Sequence, residues 1–219
     1  MSKRDTKNLR LTLLPKLNWL TENWKFVTVI IFSIAIVYGQ TTKFDFINYD
    51  DDKMIYNNST FLEKIENIPK SFTQHVFAPQ GDKGIFYRPL LLTSYILDYQ
   101  IWKLKSFGYH LSNILFHCLV TIMVYLFLGF IVKNKVSSFL GAMVFALHPI
   151  QTQPVAWVAG RNDLLLGLFC LMAIMFYHYY SIQGRNKFIA LSILSFIAAL
   201  ATKEQGIFAI LLIPLYEIL

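Results

Sequence analysis

Four short polar clusters interrupt an otherwise apolar sequence. Between them they hold the residue types that acid–base and phosphate chemistry require. The first is Tyr49-Asp50-Asp51-Asp52. Three adjacent carboxylates repel one another, so at least one must hold its proton above the usual range or find a cationic partner. Two readings stay open: a general base or cation site, or a solvated acidic loop. Phe44, Phe46, Ile47, Tyr49, Met54, Ile55 and Tyr56 flank the cluster. An acidic patch in such surroundings points beyond mere solubility.

The other clusters supply the opposite charge. They are Tyr87-Arg88-Pro89-Leu90, the stretch from His148-Pro149 to Gly160-Arg161-Asn162-Asp163, and Lys203-Glu204-Gln205-Gly206. Arg88, Arg161 and Lys203 are cations expected at membrane-interface depth. The natural anion there is a lipid phosphate or pyrophosphate, which arginine can bind through two parallel N–H bonds. The alternatives are snorkelling toward headgroups or ion pairing with Asp163 or Glu204. Pro149 ends a helix at His148. That histidine could bond a phosphate or sugar hydroxyl, or simply complete a helix end. His110, His117 and His178 form no metal-spaced set and are assigned to packing. No glycine-rich phosphate cradle and no zinc spacing occur, so no nucleotide cofactor and no zinc site is expected; the cation-site reading of the acidic cluster stays open.

The elements that must position these clusters are set by composition. Of 219 residues, 55% are hydrophobic and 15% charged, against about 25% charged in soluble domains. No Asp, Glu, Lys or Arg lies between Lys105 and Lys133, from Val136 to Gly160, or from Leu164 to Gly184. A helix crosses the hydrocarbon core with roughly 20 apolar residues. The expected fold is therefore all-α and polytopic, with about six spans near 24–41, 108–132, 136–150, 163–183, 187–202 and 205–219. Residues 1–23 form a basic tail, 42–107 a long loop and 108–219 the five further spans. The first span follows a basic tail without a small-residue cleavage site and reads as a signal anchor. Cys118 and Cys170 fall inside apolar runs and read as buried thiols.

Within the loop, Phe61–Val76 has near-helical apolar spacing interrupted by Pro69. Pro89–Leu104 is a second helical stretch opened by proline. It carries Asp98 and Lys103, so it is expected along the interface rather than across the bilayer. That choice puts Lys3, Arg4, Lys7, Arg10, Lys16, Lys25, Lys133, Lys135, Arg185 and Lys187 on one side, with only Asp5, Glu22 and Glu217. The other side is charge-balanced, so the whole net charge of +7 lies on one face. The positive-inside rule makes that face cytoplasmic and the four polar clusters extracytoplasmic. The charge thus reflects topology and anionic lipid, and no nucleic-acid partner is implied.

In order and spacing, "FINYDDDKMIYNN", "YRPLLLTSYILDYQIWKLKSFGYHLSNILFH", "ALHPIQTQPVAWVAGRNDLL" and "KEQGI" resemble the membrane half of the transmembrane-and-tetratricopeptide-repeat O-mannosyltransferases and their bacterial relatives. The resemblance covers roughly residues 40–219 and is most specific in "HPIQTQPVAWVAGRNDLL". It implies a GT-C glycosyltransferase module with an acidic motif and interfacial helices in the first external loop. It further implies transfer of a mannose-like sugar from a polyprenyl-phosphate donor to an acceptor hydroxyl, such as a protein Ser or Thr. By the same resemblance Asp50 or Asp51 is the general base. Arg88, Arg161 and Lys203, with His148, bind the lipid phosphate, while Tyr87, Asn162, Asp163 and Glu204 support them. Six spans and no repeats are fewer than the family carries, which leads to the expectation of a longer reading frame. A catalytically silent module that docks polyprenyl lipid or a partner protein is the alternative. A transporter is disfavoured because the spans hold almost no ionisable groups.

Overall fold

A computed structural model describes residues 19–78 and 86–211. Among these residues every regular element is helical and no strand occurs, as the composition requires. Helix α1 covers Trp19–Tyr38 and continues as a 3₁₀ turn through Lys43. The next loop contains α2 (Ser59–Leu62), α3 (Ile68–Ser71) and α4 (Pro89–Trp102). Then come α5 (Ser106–Val132), α6 (Lys135–Leu147), α7 (Thr152–Ala156), α8 (Arg161–Gln183) and α9 (Asn186–Leu200).

Among the described residues three segments are long and apolar enough to cross a membrane: Glu22–Lys43, Ser106–Val132 and Val158–Gln183. The 27 residues of α5 extend about 40 Å at 1.5 Å per residue, beyond the roughly 30 Å hydrocarbon core. The protein is thus an integral membrane protein. Helices α6 and α9 are apolar but have only 13 and 15 residues. The apolar run expected as a span over 136–150 yields the shorter α6 because the chain turns extended at His148, ahead of Pro149. Of the segment 205–219 expected as a sixth span, residues 212–219 lie outside the described set, as does most of the basic tail. The described part begins as a 3₁₀ turn, Glu204–Phe208.

Helix α5 is the hub, contacting α1, α4, α6, α7 and α8, while α9 lies along α8. The connections are tight. Lys133 adopts a left-handed conformation, and Asn134 then caps α6, its Oδ1 accepting from the amides of Val136 and Ser137 at 3.0 Å each. Gly184, with φ +65°, ends α8 as a glycine at that position commonly does.

The core has two parts. One lies among the spans and contains Ile30, Ile34, Tyr38, Ile114, Cys118, Tyr125, Ala142, Ala146, Val155 and Leu164. The other packs the loop onto the helices through Met54, Ile55, Leu62, Leu91, Leu92, Tyr95, Ile96, Tyr99, Tyr109, Val158 and Leu165. Each large aliphatic side chain so buried stabilises the docked loop by about 1.5–3 kcal/mol before ordering costs. Helix α4 forms as the sequence predicts, ending two residues early at Trp102. The Phe61–Val76 stretch does not form one interrupted helix. It breaks at Glu63–Lys64, and Pro69 sits in the first turn of α3, where its missing N–H costs nothing. Gly160 is the glycine that matters most to the polar clusters. A Cβ there would lie 2.6 Å from the Gln153 carbonyl oxygen and 2.9 Å from Pro154 Cα, so only glycine lets α7 fold back onto the start of α8.

Candidate active site

The four polar clusters meet, and each junction is a specific bond. The first runs from the acidic loop to the turn before α8. Asp50 and Asp51 open a short helix that widens into a single π turn over Asp52–Tyr56, with the Asn57 amide reaching the Asp52 carbonyl at 2.7 Å. Asp51 points inward and has no exposed surface. Its Oδ2 accepts the Ile47 amide at 3.1 Å and its Oδ1 the Ala159 amide at 2.9 Å. Burial raises the pKa of this carboxyl, the two N–H donors oppose that rise, and the charges of Asp50 and Asp52 add to it. Asp50 is oriented differently. It is half-buried, and among the described residues it makes no side-chain hydrogen bond or ion pair. The adjacent carboxylates therefore differ in kind: one is a buried clamp, the other an uncommitted acceptor on the rim.

The second and third junctions are ion pairs at the rim. Arg88 Nε and Nη2 donate to Glu204 Oε1 and Oε2 at 3.2 and 2.9 Å, a two-bond fork. The Leu90 amide meets the Ala201 carbonyl at 3.0 Å, which fixes the start of α4 against the 201–204 segment. Lys203 Nζ donates to Asp163 Oδ1 at 2.5 Å. Partial burial works against ionisation of Glu204. The Arg88 hydrogen bond and the charges of Arg88 and Lys203 outweigh it and hold the carboxyl below its usual range. The pairing of Asp163 and Glu204 with cations, one alternative open from the sequence, is what the structure contains. Neither cation is used up: Arg88 commits Nε and Nη2 but has no Nη1 partner among the described residues, and Lys203 retains two donor positions.

Beneath this rim lies Arg161, which has no exposed surface. Its Nε donates to Asn113 Oδ1 at 2.8 Å and its Nη1 lies 3.3 Å from Ser94 Oγ. Nη2 meets the Tyr109 carbonyl at 3.0 Å and Asp98 Oδ2 at 2.6 Å. The rings of Tyr95, Tyr109 and Phe116 surround the guanidinium at 4.8–5.9 Å. All three nitrogens are engaged, and none faces the surface where a lipid headgroup would arrive. Asn113 Nδ2 in turn donates to the Trp157 carbonyl at 3.0 Å, and Tyr95 donates to the Val158 carbonyl at 3.2 Å.

The remaining candidates sit apart from these pairs. His148 is exposed and its Nδ1 accepts the Ile150 amide at 3.2 Å. In the neutral ring that leaves the proton on Nε2, facing outward. No contact among the described residues links it to either ion pair. Tyr87 donates its hydroxyl to the Phe72 carbonyl at 2.9 Å, bracing the loop. Asn162 is buried beside Arg161. Among the described residues no three of His, Cys, Asp and Glu converge as a metal site would need.

Sequence reasoning does not single out Asp98, Ser94, Asn113 or Tyr109 for the site. A signal is present. Ser94 and Asp98 are four apart on α4, and Tyr109 and Asn113 four apart on α5, so each pair shares a helix face. On α5 the same face continues with His117 and Thr121, both buried.

The chain is similar to several curated proteins. The chain is 32% identical over 205 residues to protein O-mannosyl-transferase TMTC3 of Mus musculus, matching 90% of this chain and 22% of that protein. It is 30% identical to protein O-mannosyl-transferase Tmtc1 of Drosophila melanogaster (84% of this chain, 22% of that protein) and 28% identical to human TMTC2 (83% and 22%). The chain is homologous to a segment of these O-mannosyl-transferases. It spans about a fifth of the length of the curated relatives it matches. No family model matches, and no solved structure matches significantly. The likeness to the TMTC proteins is consistent with a GT-C-like membrane module.

The two-acceptor clamp of Asp51 yields a stability prediction. In Asp51→Asn one buried N–H must face an amide NH₂ instead of an oxygen. Relief of the buried charge offsets only part of that loss. The substitution should destabilise the protein by about 1–3 kcal/mol, and Asp50→Asn by no more than about 0.5 kcal/mol. Chemical unfolding in detergent measures both, and equal effects would remove the distinction between the two carboxylates.

Proposed function

We propose that the chain is the donor-binding and base-bearing module of a membrane mannosyltransferase. It would use a polyprenyl-phosphate sugar as donor and a hydroxyl, such as a protein Ser or Thr, as acceptor. The observation that carries this reading is that Asp51, the neighbour of the uncommitted Asp50, grips the Ala159 amide four residues before Asp163, which pairs with Lys203, itself next to the Glu204 that pairs with Arg88. Names of the relatives suggest the sugar and the protein acceptor; the polyprenyl phosphate is what the family resemblance implies, and cations at the rim of a membrane protein support an anionic lipid donor.

In this reaction Asp50 removes the proton of the acceptor hydroxyl. The oxygen attacks the anomeric carbon, and the bond from that carbon to the phosphate oxygen breaks with its electron pair remaining on phosphate. Configuration inverts. The phosphodiester becomes a monoester and gains negative charge as the bond breaks, and donors placed for that developing charge lower the barrier. Arg88 Nη1 and Lys203 Nζ supply them; His148, which stands apart from both ion pairs, is not assigned to this step. Glu204 and Asp163 hold the two cations in position until the phosphate arrives. The chemistry so written needs no cofactor, and the lipid-linked sugar is a substrate. A second reading, a catalytically silent module that docks the donor lipid or a partner protein, is favoured by the pairing of Arg88 with Glu204 and of Lys203 with Asp163.

The two readings part in a transfer assay with radiolabelled polyprenyl-phosphate mannose and a Ser/Thr peptide. The first predicts that Asp50→Asn lowers transfer by about 10²–10⁴-fold, the usual contribution of a general base, with membrane insertion unchanged. Full transfer by that variant would overturn the base assignment. Donor binding without transfer in the wild-type chain would select the second reading.

Orientation follows from the same proposal, with the site extracytoplasmic and the Lys/Arg-rich turns at 133–135 and 185–187 cytoplasmic. Reporter fusions should place Asn134 inside and Asn162 outside. The reverse result would put the site on the wrong face for this chemistry.

A further inference from the structure

Arg161 and Asp98 form a buried ion pair whose connections lead in one direction. Asp98 Oδ1 accepts the Ser112 hydroxyl at 2.8 Å, while its Oδ2 meets Arg161. Arg161 orients Asn113 through Nε, so that Asn113 presents its NH₂ to the carbonyls of the 155–158 turn. The Tyr95 ring lies 4.8 Å from the guanidinium and its hydroxyl holds the Val158 carbonyl from the other side. The next amide along this turn, that of Ala159, is the one Asp51 grips. Every link is a buried or half-buried polar bond, and Asp50 is the next residue before Asp51.

We propose that Arg161, with Asp98 and Asn113, is a positioning device for the acidic loop. It fixes the 157–159 turn, the turn fixes Asp51, and Asp51 sets where Asp50 stands. Arg161 then serves the reaction without touching the substrate, in place of the phosphate-binding role its sequence context suggests. A fully buried cation is costly unless paired and hydrogen-bonded. It also admits few alternative arrangements, which is what a positioning element requires. Lysine could keep the charge opposite Asp98, but its single nitrogen could not also orient Asn113 and meet Ser94. The coupling itself is independent of the catalytic reading; only the consequence for transfer rests on Asp50 being the base.

Amide hydrogen exchange on the whole chain in lipid nanodiscs tests the coupling. Peptides covering residues 45–52 and 155–161 report the Ile47 and Ala159 amides, and a peptide from 189–199 in α9 reports global stability. In Arg161→Lys the first two should exchange about tenfold faster with the α9 peptide unchanged. Unchanged exchange at both loop peptides would overturn the proposal. If exchange rises everywhere, Ser112→Ala decides, because it removes only the second bond to Asp98. A rise of about threefold confined to the two loop peptides supports the device, and no local rise rejects it. Where the chain shows transfer, Ser112→Ala should lower kcat while leaving the donor KM unchanged. A change in donor KM alone would instead assign this network to lipid binding. A chain with no transfer activity but the predicted local exchange would defeat the catalytic reading and leave the positioning device standing.

Discussion

A guanidinium with no contact with solvent cannot be left unpaired, and most of this site results from meeting that condition for Arg161. Satisfying it draws Asp98 and Ser94 from α4, Asn113 and the Tyr109 carbonyl from α5, and three aromatic rings around the charge. The pair is not an efficient source of stability, since desolvation offsets much of the Coulombic attraction. Its effect is on geometry. Three helices must approach in one arrangement for the charge to be satisfied, and that arrangement puts the start of α8 beside the acidic loop. Gly160 permits the approach, because any side chain there would collide with the backbone of Gln153 and Pro154.

The polar residues therefore fall into two tiers with different physics. The lower tier, Asp51, Asp98, Asn113 and Arg161, is buried and joined by directional hydrogen bonds and one ion pair. The upper tier, Asp50, Arg88, Asp163, Lys203 and Glu204, reaches the rim. Exposed or half-exposed ion pairs contribute little to stability, typically about 0–1 kcal/mol. In the proposed reaction their value lies in holding charge where an incoming anion can use it. The loop core of Met54, Ile55, Leu91, Leu92 and Ile96 joins the tiers to the helices by ordinary apolar burial. A loop of more than sixty residues between spans is thereby an ordered part of the protein over its described length.

Much of this is legible in the sequence, for reasons visible in particular residues. The long apolar runs mark α1, α5 and α8 because spanning helices need unbroken hydrocarbon. Pro89 marks the start of α4 because proline suits a first helical turn. Convergence of the four polar clusters can be anticipated from topology, and the pairing of Glu204 and Asp163 with cations is among the alternatives their positions allow. The depth of Arg161 is not legible: an arginine at the start of a span reads as a rim cation, and only its packing against Asp98 and Asn113 shows otherwise. Asp50 and Asp51 cannot be told apart either, because which of two adjacent carboxylates turns inward depends on where the Ile47 and Ala159 amides lie. Pro69 reads as an interruption and is instead a helix start, since a proline breaks one helix and opens another with the same stereochemistry.

The central claim is that segments far apart in sequence form one polar assembly, and zero-length carbodiimide cross-linking in the bilayer tests it most directly. The reagent joins a carboxylate to an amine only when the two are in contact, as Asp163 and Lys203 are. An Asp163–Lys203 isopeptide bond should appear in the peptide map and be absent from Lys203→Arg. Recovery of Lys203 joined to carboxylates outside the site, with no Asp163–Lys203 product, would contradict the claim.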